Sequence, residues 1–259
     1  MADREASPPS TARFSDRVDD YVRYRPDYPP ALLHWLQREH GVRNDWRVAD
    51  VGAGTGISSK LFLDAGYRVT VVEPNAPMRA AAEHWLRSYA GFAAVDGDAG
   101  ATGLPDASVD LVTVAQAFHW FDPEAARREF ARILRPRGLA AIWWNSRRLG
   151  GSRFLEGYEA LLLAYGTDYA SVAERYSDDA QMRTWFGAGF RGAACFEHAR
   201  QLDFDGLRGR LMSSSYAPRA GHPRHESMLR ALRELFDRSA ENGTVSFEYD
   251  TRIFVGKMV

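Results

Sequence analysis

Three glycines at alternate positions, Gly52, Gly54 and Gly56, follow an apolar run that contains an acid, Asp50, in the stretch "VADVGAGTGISS". Bare backbone at that spacing permits a tight turn and lets peptide N–H groups approach a ligand closely. A helix beginning near Ile57 would aim its positive N-terminal end at the same place. Such a turn also occurs in chains that bind nothing, so the glycines need company. A second acid, Glu73, closes the next apolar run, "YRVTVVEPN". A carboxylate has two acceptor oxygens and suits the paired hydroxyls of a ribose. Asp98, in "VDGDAGATGLP", follows a third run, where an adenine amino group would lie if its ribose were held at Glu73. Asp96 and Asp106 share that turn-rich segment, so a plain loop aspartate is the competing assignment. The fourth run, "DLVTVAQAFHWFD", leads straight into Gln116, His119, Trp120 and Asp122. Its backbone carbonyls would receive an ammonium, and its side chains would line a substrate.

Spacing narrows the ligand further. A dinucleotide fingerprint, G-x-G-x-x-G, would need glycine at position 57, where the chain has Ile57. The observed G-x-G-x-G, with an acid two residues ahead, favours a compact zwitterion over the loop rather than a pyrophosphate.

These residues require an alternation of elements to position them. "WRVADV", "YRVTVV", "FAAV" and "SVDLVTVA" read as strands, and "RPRG" as a turn into the strand "LAAIWW". Between them, "ISSKLFLDAG" reads as a helix closed by Gly66, and "NAPMRAAAEHWL" as a helix capped by Asn75. "DPEAARREFARIL" reads as a helix with Asp122 at the cap and Pro123 in the first turn. Strands that are apolar throughout and separated by helices predict a parallel sheet covered on both faces. Upstream, Ser15 would cap a short helix, and a second helix over about 30–40 would end at Gly41. Downstream, 150–190 reads as helical, 192–204 as a strand, "SSSYAP" as a loop, 224–241 as a helix, and "GTVSFEYDTRIFVGKMV" as an alternating strand. The fold class expected is α/β: a doubly wound, mostly parallel seven-stranded sheet with an antiparallel C-terminal strand and a helical cap. The expected divisions are a disordered tail over 1–12, N-terminal helices over 13–44 covering the ligand site, and a binding core over 45–149. A helical cap would follow over 150–191, then the C-terminal part of the sheet over 192–259.

Composition bounds the function. The chain has 259 residues, 45% hydrophobic and 26% charged, with a net charge of −1. No basic excess argues for a nucleic-acid partner. The one cysteine, Cys195, excludes an intrachain disulfide and a multi-cysteine zinc site, and reads as a small strand or core residue. No apolar run has signal-peptide or membrane-spanning character, so no membrane is expected and a cytoplasmic location is.

The quoted motifs, together with "FARILRPRGLAAIWW", resemble the class I S-adenosylmethionine-dependent methyltransferases, in particular the type-11 small-molecule branch, over about residues 45–145. "FSDRVDDYVRYRPDYPP" and "AQAFHWFD" look like the trans-aconitate methyltransferase-like subset. The resemblance implies S-adenosyl-L-methionine as cofactor, S-adenosyl-L-homocysteine as product, and a small-molecule acceptor methylated at O, N or C. Asp50, Gly52, Ala53, Gly54 and Gly56 would then surround the methionyl part. Glu73 would hold the ribose, with Pro74 and Met78 near the adenine and Asp98 and Ala99 at its edge. Ala115 and Gln116 would lie by the methionyl amine. Arg25 would pair with the cofactor carboxylate, and Tyr21 would cover the site as a lid.

Methyl transfer from a sulfonium needs alignment and exclusion of water more than acid or base help. Aromatic faces serve both ends, and Tyr21, Trp120, Phe121, Trp143 and Trp144 are the candidates, with at most one of the last two facing the cleft. His119 is the candidate base or substrate ligand, since its ordinary pKa lies near neutrality. Arg147 and Arg148 would meet an anionic acceptor, and Tyr216, beside Ser214, would line its chamber. No metal site is expected. The chain is expected to be a monomer or homodimer. The rival readings are a nicotinamide-dependent oxidoreductase, a nucleic-acid methyltransferase, and a non-catalytic S-adenosylmethionine-binding protein.

Overall fold

A computed structural model describes residues 24–169 and 179–258. The apolar runs form seven strands: β1 (Arg47–Val51), β2 (Arg68–Val72), β3 (Phe92–Val95), β4 (Val109–Ala115), β5 (Leu134–Arg147), β6 (Phe190–Leu202) and β7 (Val245–Gly256). They make one sheet in the order β3-β2-β1-β4-β5-β7-β6. β1 to β5 run parallel, and β7 is antiparallel to both β5 and β6. The doubly wound class with an antiparallel C-terminal strand is therefore observed. The strand order reverses beside β1, so the carboxyl ends of β1 and β4 open a crevice there.

Eight α-helices are described: α1 (Pro30–His40), α2 (Ile57–Asp64), α3 (Ala76–Leu86), α4 (Pro123–Ile133), α5 (Arg153–Tyr165), α6 (Asp179–Phe186), α7 (Phe204–Met212) and α8 (His225–Ser239). The expected punctuation holds. Gly41 ends α1 at φ +67°, Asn75 Oδ1 accepts from Met78 N, and Asp122 accepts from Glu124 N and Ala125 N. The sheet separates two apolar layers. Leu32, Leu36, Phe62, Leu86 and Trp143 lie in one, and Ala126, Phe130, Trp144, Met182 and Phe186 in the other. A third cluster joins α5, α7 and α8 to the N-terminal half of β7, through Leu155, Leu162, Leu211, Leu232, Phe247 and others. β7 records the change of surroundings: it alternates buried and half-buried from Val245 to Asp250, then is buried on both faces from Ile253 to Gly256.

Three expectations need correction. "RPRG" does not precede β5 but lies within it, as a bulge: Val109 pairs with Leu134 and Leu111 with Leu139. Helix α7 was not expected, because Gly206 and Gly209 interrupt its pattern; Gly209 is required there by Tyr24, whose ring lies 2.4 Å from where a Cβ would stand. Cys195 is on a strand, as read, but is exposed on β6 rather than in a core. The tail 1–12, the helix capped by Ser15 and Tyr21 lie outside the described residues. Among the described residues no helix is long and apolar enough to cross a membrane.

Candidate functional site

The carboxyl ends of β1, β2 and β4, with the turn after β3, enclose a cavity of about 480 Å³, within the range of small-molecule sites. Its floor is the glycine turn. Gly52, Gly54 and Gly56 have φ of +66°, +57° and +85°, left-handed values that cost other residues about 1–2 kcal/mol. Each glycine also meets a different spatial demand. A Cβ on Gly52 would stand 2.9 Å from Ala117 Cβ, and one on Gly56 2.6 Å from Leu86 Cδ1. A Cβ on Gly54 would meet nothing within 4 Å, and Gly54 lines the cavity, so this is the bare position facing a ligand. Gly56 lies behind the wall, at the start of α2.

Asp50 is the first displaced expectation. It does not line the cavity. It is fully buried under the turn, where Oδ2 accepts from Ser58 Oγ and Ser59 Oγ, both at 2.6 Å, and Oδ1 accepts from Thr113 Oγ1 at 2.9 Å. Thr113 is its register partner on β4. Asp50 thus ties β1, β4 and the first turn of α2 together, and its place is behind the glycines rather than around a ligand. Burial pushes its carboxyl up, against the opposing pull of the three hydroxyls.

Glu73 is nearly buried and lines the cavity. Oε2 accepts from Gly54 N at 2.8 Å and Oε1 from Asn75 N at 2.9 Å. The acid of the second strand is therefore fastened to the glycine turn of the first. Each oxygen retains acceptor capacity for a hydroxyl. Burial pushes the Glu73 carboxyl up, offset by those two N–H bonds and by the charge of Arg79. Pro74 and Met78 line the same wall. Asp98 and Ala99 line the same cavity, and Asp98 Oδ1 accepts from Gly100 N and Ala101 N, leaving Oδ2 clear of that turn. The turn is anchored from below by Glu129 on α4, whose Oε1 accepts from Thr102 N at 2.8 Å and Thr102 Oγ1 at 2.5 Å.

At the end of β4, Ala115, Gln116 and Trp120 complete the enclosure. Gln116 has φ +60°, a left-handed value in a residue that is not glycine, and its Nε2 donates to Asn145 O at 3.0 Å. Strain at the carboxyl end of a central strand, beside a cavity, marks a position fixed by its surroundings. Tyr28, Ser58 and Phe121 also line the space. Phe121 was an aromatic candidate. Tyr28 was missed, although it stands in the quoted "RPDYPP"; its aromatic ring beside Pro29 and Pro30 is the signal that would have found it.

Seven further candidates stand elsewhere. His119 points to the opposite side of Phe118 and Phe121, into a surface groove with Trp185, and accepts from Trp144 Nε1 at 3.4 Å. Its neighbours Gln116 and Trp120 face the cavity, but a single turn of 3₁₀ helix rotates His119 away. It does not reach the cavity as a base. Arg25 faces a separate cavity of about 310 Å³, with Asp27 and Arg200, and donates to Ser213 O at 3.0 Å. Trp143 and Trp144 are buried in opposite layers, and neither faces the cleft. Arg147 turns towards α5, bound to Glu159 and to Tyr169 Oη. Tyr216 packs on Tyr169 there, ring centroids 5.0 Å apart. Arg148 joins a surface network with Glu197, Glu248 and Asp250. Among the described residues no group of three His, Cys, Asp or Glu side chains is placed to hold a metal ion.

Residues 49–142, which contain this cavity, match the methyltransferase domain family. An uncharacterized methyltransferase of Mycobacterium tuberculosis is 40% identical over 148 residues, 55% of this chain and 56% of that protein. Another from Schizosaccharomyces pombe is 33% identical over 135 residues, 52% of this chain and 53% of that protein. The chain thus spans about half the length of the curated relatives it matches. A protein of Anaeromyxobacter dehalogenans, assigned provisionally as a type II methyltransferase, superposes with a TM-score of 0.68 at 23% identity, over 91% of this chain and 99% of that one. A Haemonchus contortus phosphoethanolamine N-methyltransferase, solved with S-adenosylhomocysteine, superposes with a TM-score of 0.56 at 13% identity, over 93% of this chain and 57% of that one. The fold is the Rossmann-like methyltransferase fold.

Proposed function

We propose that the chain is an S-adenosylmethionine-dependent methyltransferase acting on a small molecule. The observation that carries this reading is the coupling of Gly54 N–H to the Glu73 carboxylate in the lining of the cavity. It sets a bare amide and a diol acceptor side by side, with the Asp98 carboxylate lining the same cavity, the groups that an amino-acid chain, a ribose and an adenine would need. The donor set fits the group: open space over Gly54, acceptor capacity left on Glu73 and Asp98, and apolar Pro74, Met78 and Ala99 for a flat base.

When bound, the cofactor supplies a methyl group on a positively charged sulfur. The chain's own part is positioning and drying. Glu73 holds the sugar hydroxyls, Asp98 the base edge, and the carbonyls near Ala115 and Gln116 the amine. Trp120, Phe121 and Tyr28 keep water from the reacting end. Geometry of this kind supplies on the order of 7–11 kcal/mol of rate enhancement without a general base. The absence of His119 from the cavity agrees with that economy. A cytoplasmic location and a monomer or homodimer complete the reading.

Calorimetric titration with S-adenosylhomocysteine tests it. The parent chain is expected to bind, and NADH to give no heat. Glu73→Ala is expected to weaken binding at least tenfold, since losing a buried charged acceptor costs about 1.5–3 kcal/mol. Gly54→Val, which places a branched side chain in the ligand's space, is expected to weaken it further. Undiminished affinity in both folded variants defeats the proposal. A labelled-methyl screen over small acids, phenols and amines then separates an enzyme from a binder.

A further inference from the structure

Where α7 packs on β7 the chain buries a cation that has no acid in contact with it among the described residues. Arg210, on α7, is 7% exposed. Its Nε donates to Tyr249 Oη at 3.0 Å and its Nη1 to Ser214 Oγ at 2.9 Å. Among the described residues no carboxylate forms an ion pair with it. Phe247 lies under the guanidinium at 5.6 Å. Beside it is Tyr158, 1% exposed, whose hydroxyl is buried without a hydrogen-bond partner. Arg147 stands on the other side of that tyrosine, 5.1 Å above its ring, but is already engaged by Glu159 and Tyr169. Buried charges are ordinarily paired, and buried hydroxyls ordinarily bonded. Here one cation and one hydroxyl, side by side, break both rules. Tyr216, half-buried in the 213–217 turn, packs against the same cluster.

We infer that Arg210 and Tyr158 form an anion subsite that receives a carboxylate carried by the methyl acceptor. This rests on the methyltransferase reading. Two of the five guanidinium N–H groups are committed, and Nη2 remains to bind a planar anion, with the Tyr158 hydroxyl as a further donor. The rings of Tyr249 and Phe247 beside the guanidinium suit an acceptor with a flat apolar body. The carboxylate held here is a handle and not the methylated atom, because an oxygen paired with a guanidinium is a weak nucleophile.

The test uses the full chain saturated with S-adenosylhomocysteine, titrated calorimetrically with benzoate, succinate, phenyl phosphate and neutral benzamide in low-chloride buffer. Benzoate or succinate is expected to bind saturably, and benzamide not to bind. Arg210→Gln is expected to weaken that binding at least about tenfold, as truncating one side of a buried charge pair does. Arg210→Lys should retain part of it. Tyr158→Phe, which keeps the volume and so the fold, should weaken it about two- to tenfold by loss of one hydrogen bond. S-adenosylhomocysteine affinity should be unchanged in all three. No saturable binding of either carboxylate by the parent chain overturns the inference, as does equal binding by folded Arg210→Gln and Tyr158→Phe, or binding of phenyl phosphate alone. Failure of S-adenosylhomocysteine to bind, with benzoate still bound through Arg210, would instead count against the methyltransferase reading and leave the anion subsite standing.

Discussion

Two parts of the molecule, an acidic end at the rim of β1, β2 and β4 and a basic end where α7 meets β7, bury opposite charges by the same means. At the β1–β4 end, Asp50 and Glu73 are surrounded by hydroxyls and backbone N–H groups. At the β5–β7 end, Arg210 is surrounded by phenol and serine hydroxyls. In both places neutral dipoles, rather than a counter-ion in contact, hold the charge. A contact ion pair would cancel the field; dipoles leave much of it in place, and a low-dielectric interior carries it further. Under the proposed function the acidic end faces a cationic cofactor and the basic end an anionic acceptor. The molecule is then polarised along the line on which its two ligands meet. Arg147, with its acid Glu159 in contact, shows what the cancelled arrangement looks like.

The comparison breaks most severely at Asp50. Asp50→Ala would take the shared acceptor from three buried hydroxyls, leaving Thr113 Oγ1 only its 3.4 Å bond to Ala49 O, and open a cavity between β1, β4 and α2. We expect a loss of about 3–5 kcal/mol, each unsatisfied hydroxyl costing about 1–3 kcal/mol less what relaxation recovers. Urea unfolding monitored by tryptophan fluorescence measures it. Asp50→Asn should lose less, since its carbonyl still accepts. If Asn and Ala cost the same, the hydroxyl cage is not what stabilises the crossover.

How much of each end was legible in the sequence follows from how far apart its parts lie. Gly52, Gly54, Glu73 and Asp98 each end or follow a strand, and β-α alternation forces those ends to one rim, so the open side of the site could be read in order. What lies behind the rim could not. Ser58, Ser59 and Thr113 become partners of Asp50 only once β4 is known to pair with β1 at Asp50–Thr113. His119 failed because alternation stops at Ala115: after a strand, a 3₁₀ turn and not a two-residue period decides which side chains face inward. The basic end was the least legible. Arg210 and Tyr249 are 39 residues apart, on a helix hidden by two glycines and a strand whose inward face changes character midway.

Glu129 sharpens the comparison from the other direction, since it is an acid held by a contact ion pair. Arg132 Nε and Nη2 donate to it at 2.8 and 2.6 Å, and with Thr102 they hold its carboxyl down to about 2 from an ordinary 4.5. A depressed acid stabilises the fold fully above its unfolded value and loses that contribution as pH falls through the folded one. Glu129→Gln is therefore expected to cost about 1–2 kcal/mol at pH 7. The gap between parent and variant should close as pH falls from about 4.5 towards 2. Denaturant melts at pH 7 and pH 3 read the gap. A gap of constant size would assign the effect to packing. Because Glu129 also anchors the turn bearing Asp98, S-adenosylhomocysteine affinity should fall a few-fold at pH 7.

Gln116 offers a smaller, compensated effect. Glycine there would relieve the left-handed backbone, worth about 1 kcal/mol, and remove the bond to Asn145 O, worth a similar amount. Net stability within about 1 kcal/mol of the parent is expected, read as a thermal midpoint within about 4 °C. A large loss would show that the side-chain bond, and not the backbone, sets this corner.

The smallest expected effect is at His119, and it is the most informative about the chemistry. The ring packs on Trp120 at 4.8 Å and accepts from Trp144 Nε1, on the groove side of the wall. The Nδ1 atom faces the buried indole of Trp144 and not the cavity. His119→Ala should leave S-adenosylhomocysteine affinity within about twofold, since the residue lines none of the cavity. Methyl transfer to any acceptor found should change equally little, and the pH profile should keep its shape. Loss of a single limb from that profile, with cofactor affinity intact, would show that the ring turns inward during turnover. It would restore His119 as a base, and the dry-positioning account of the site would have to be replaced.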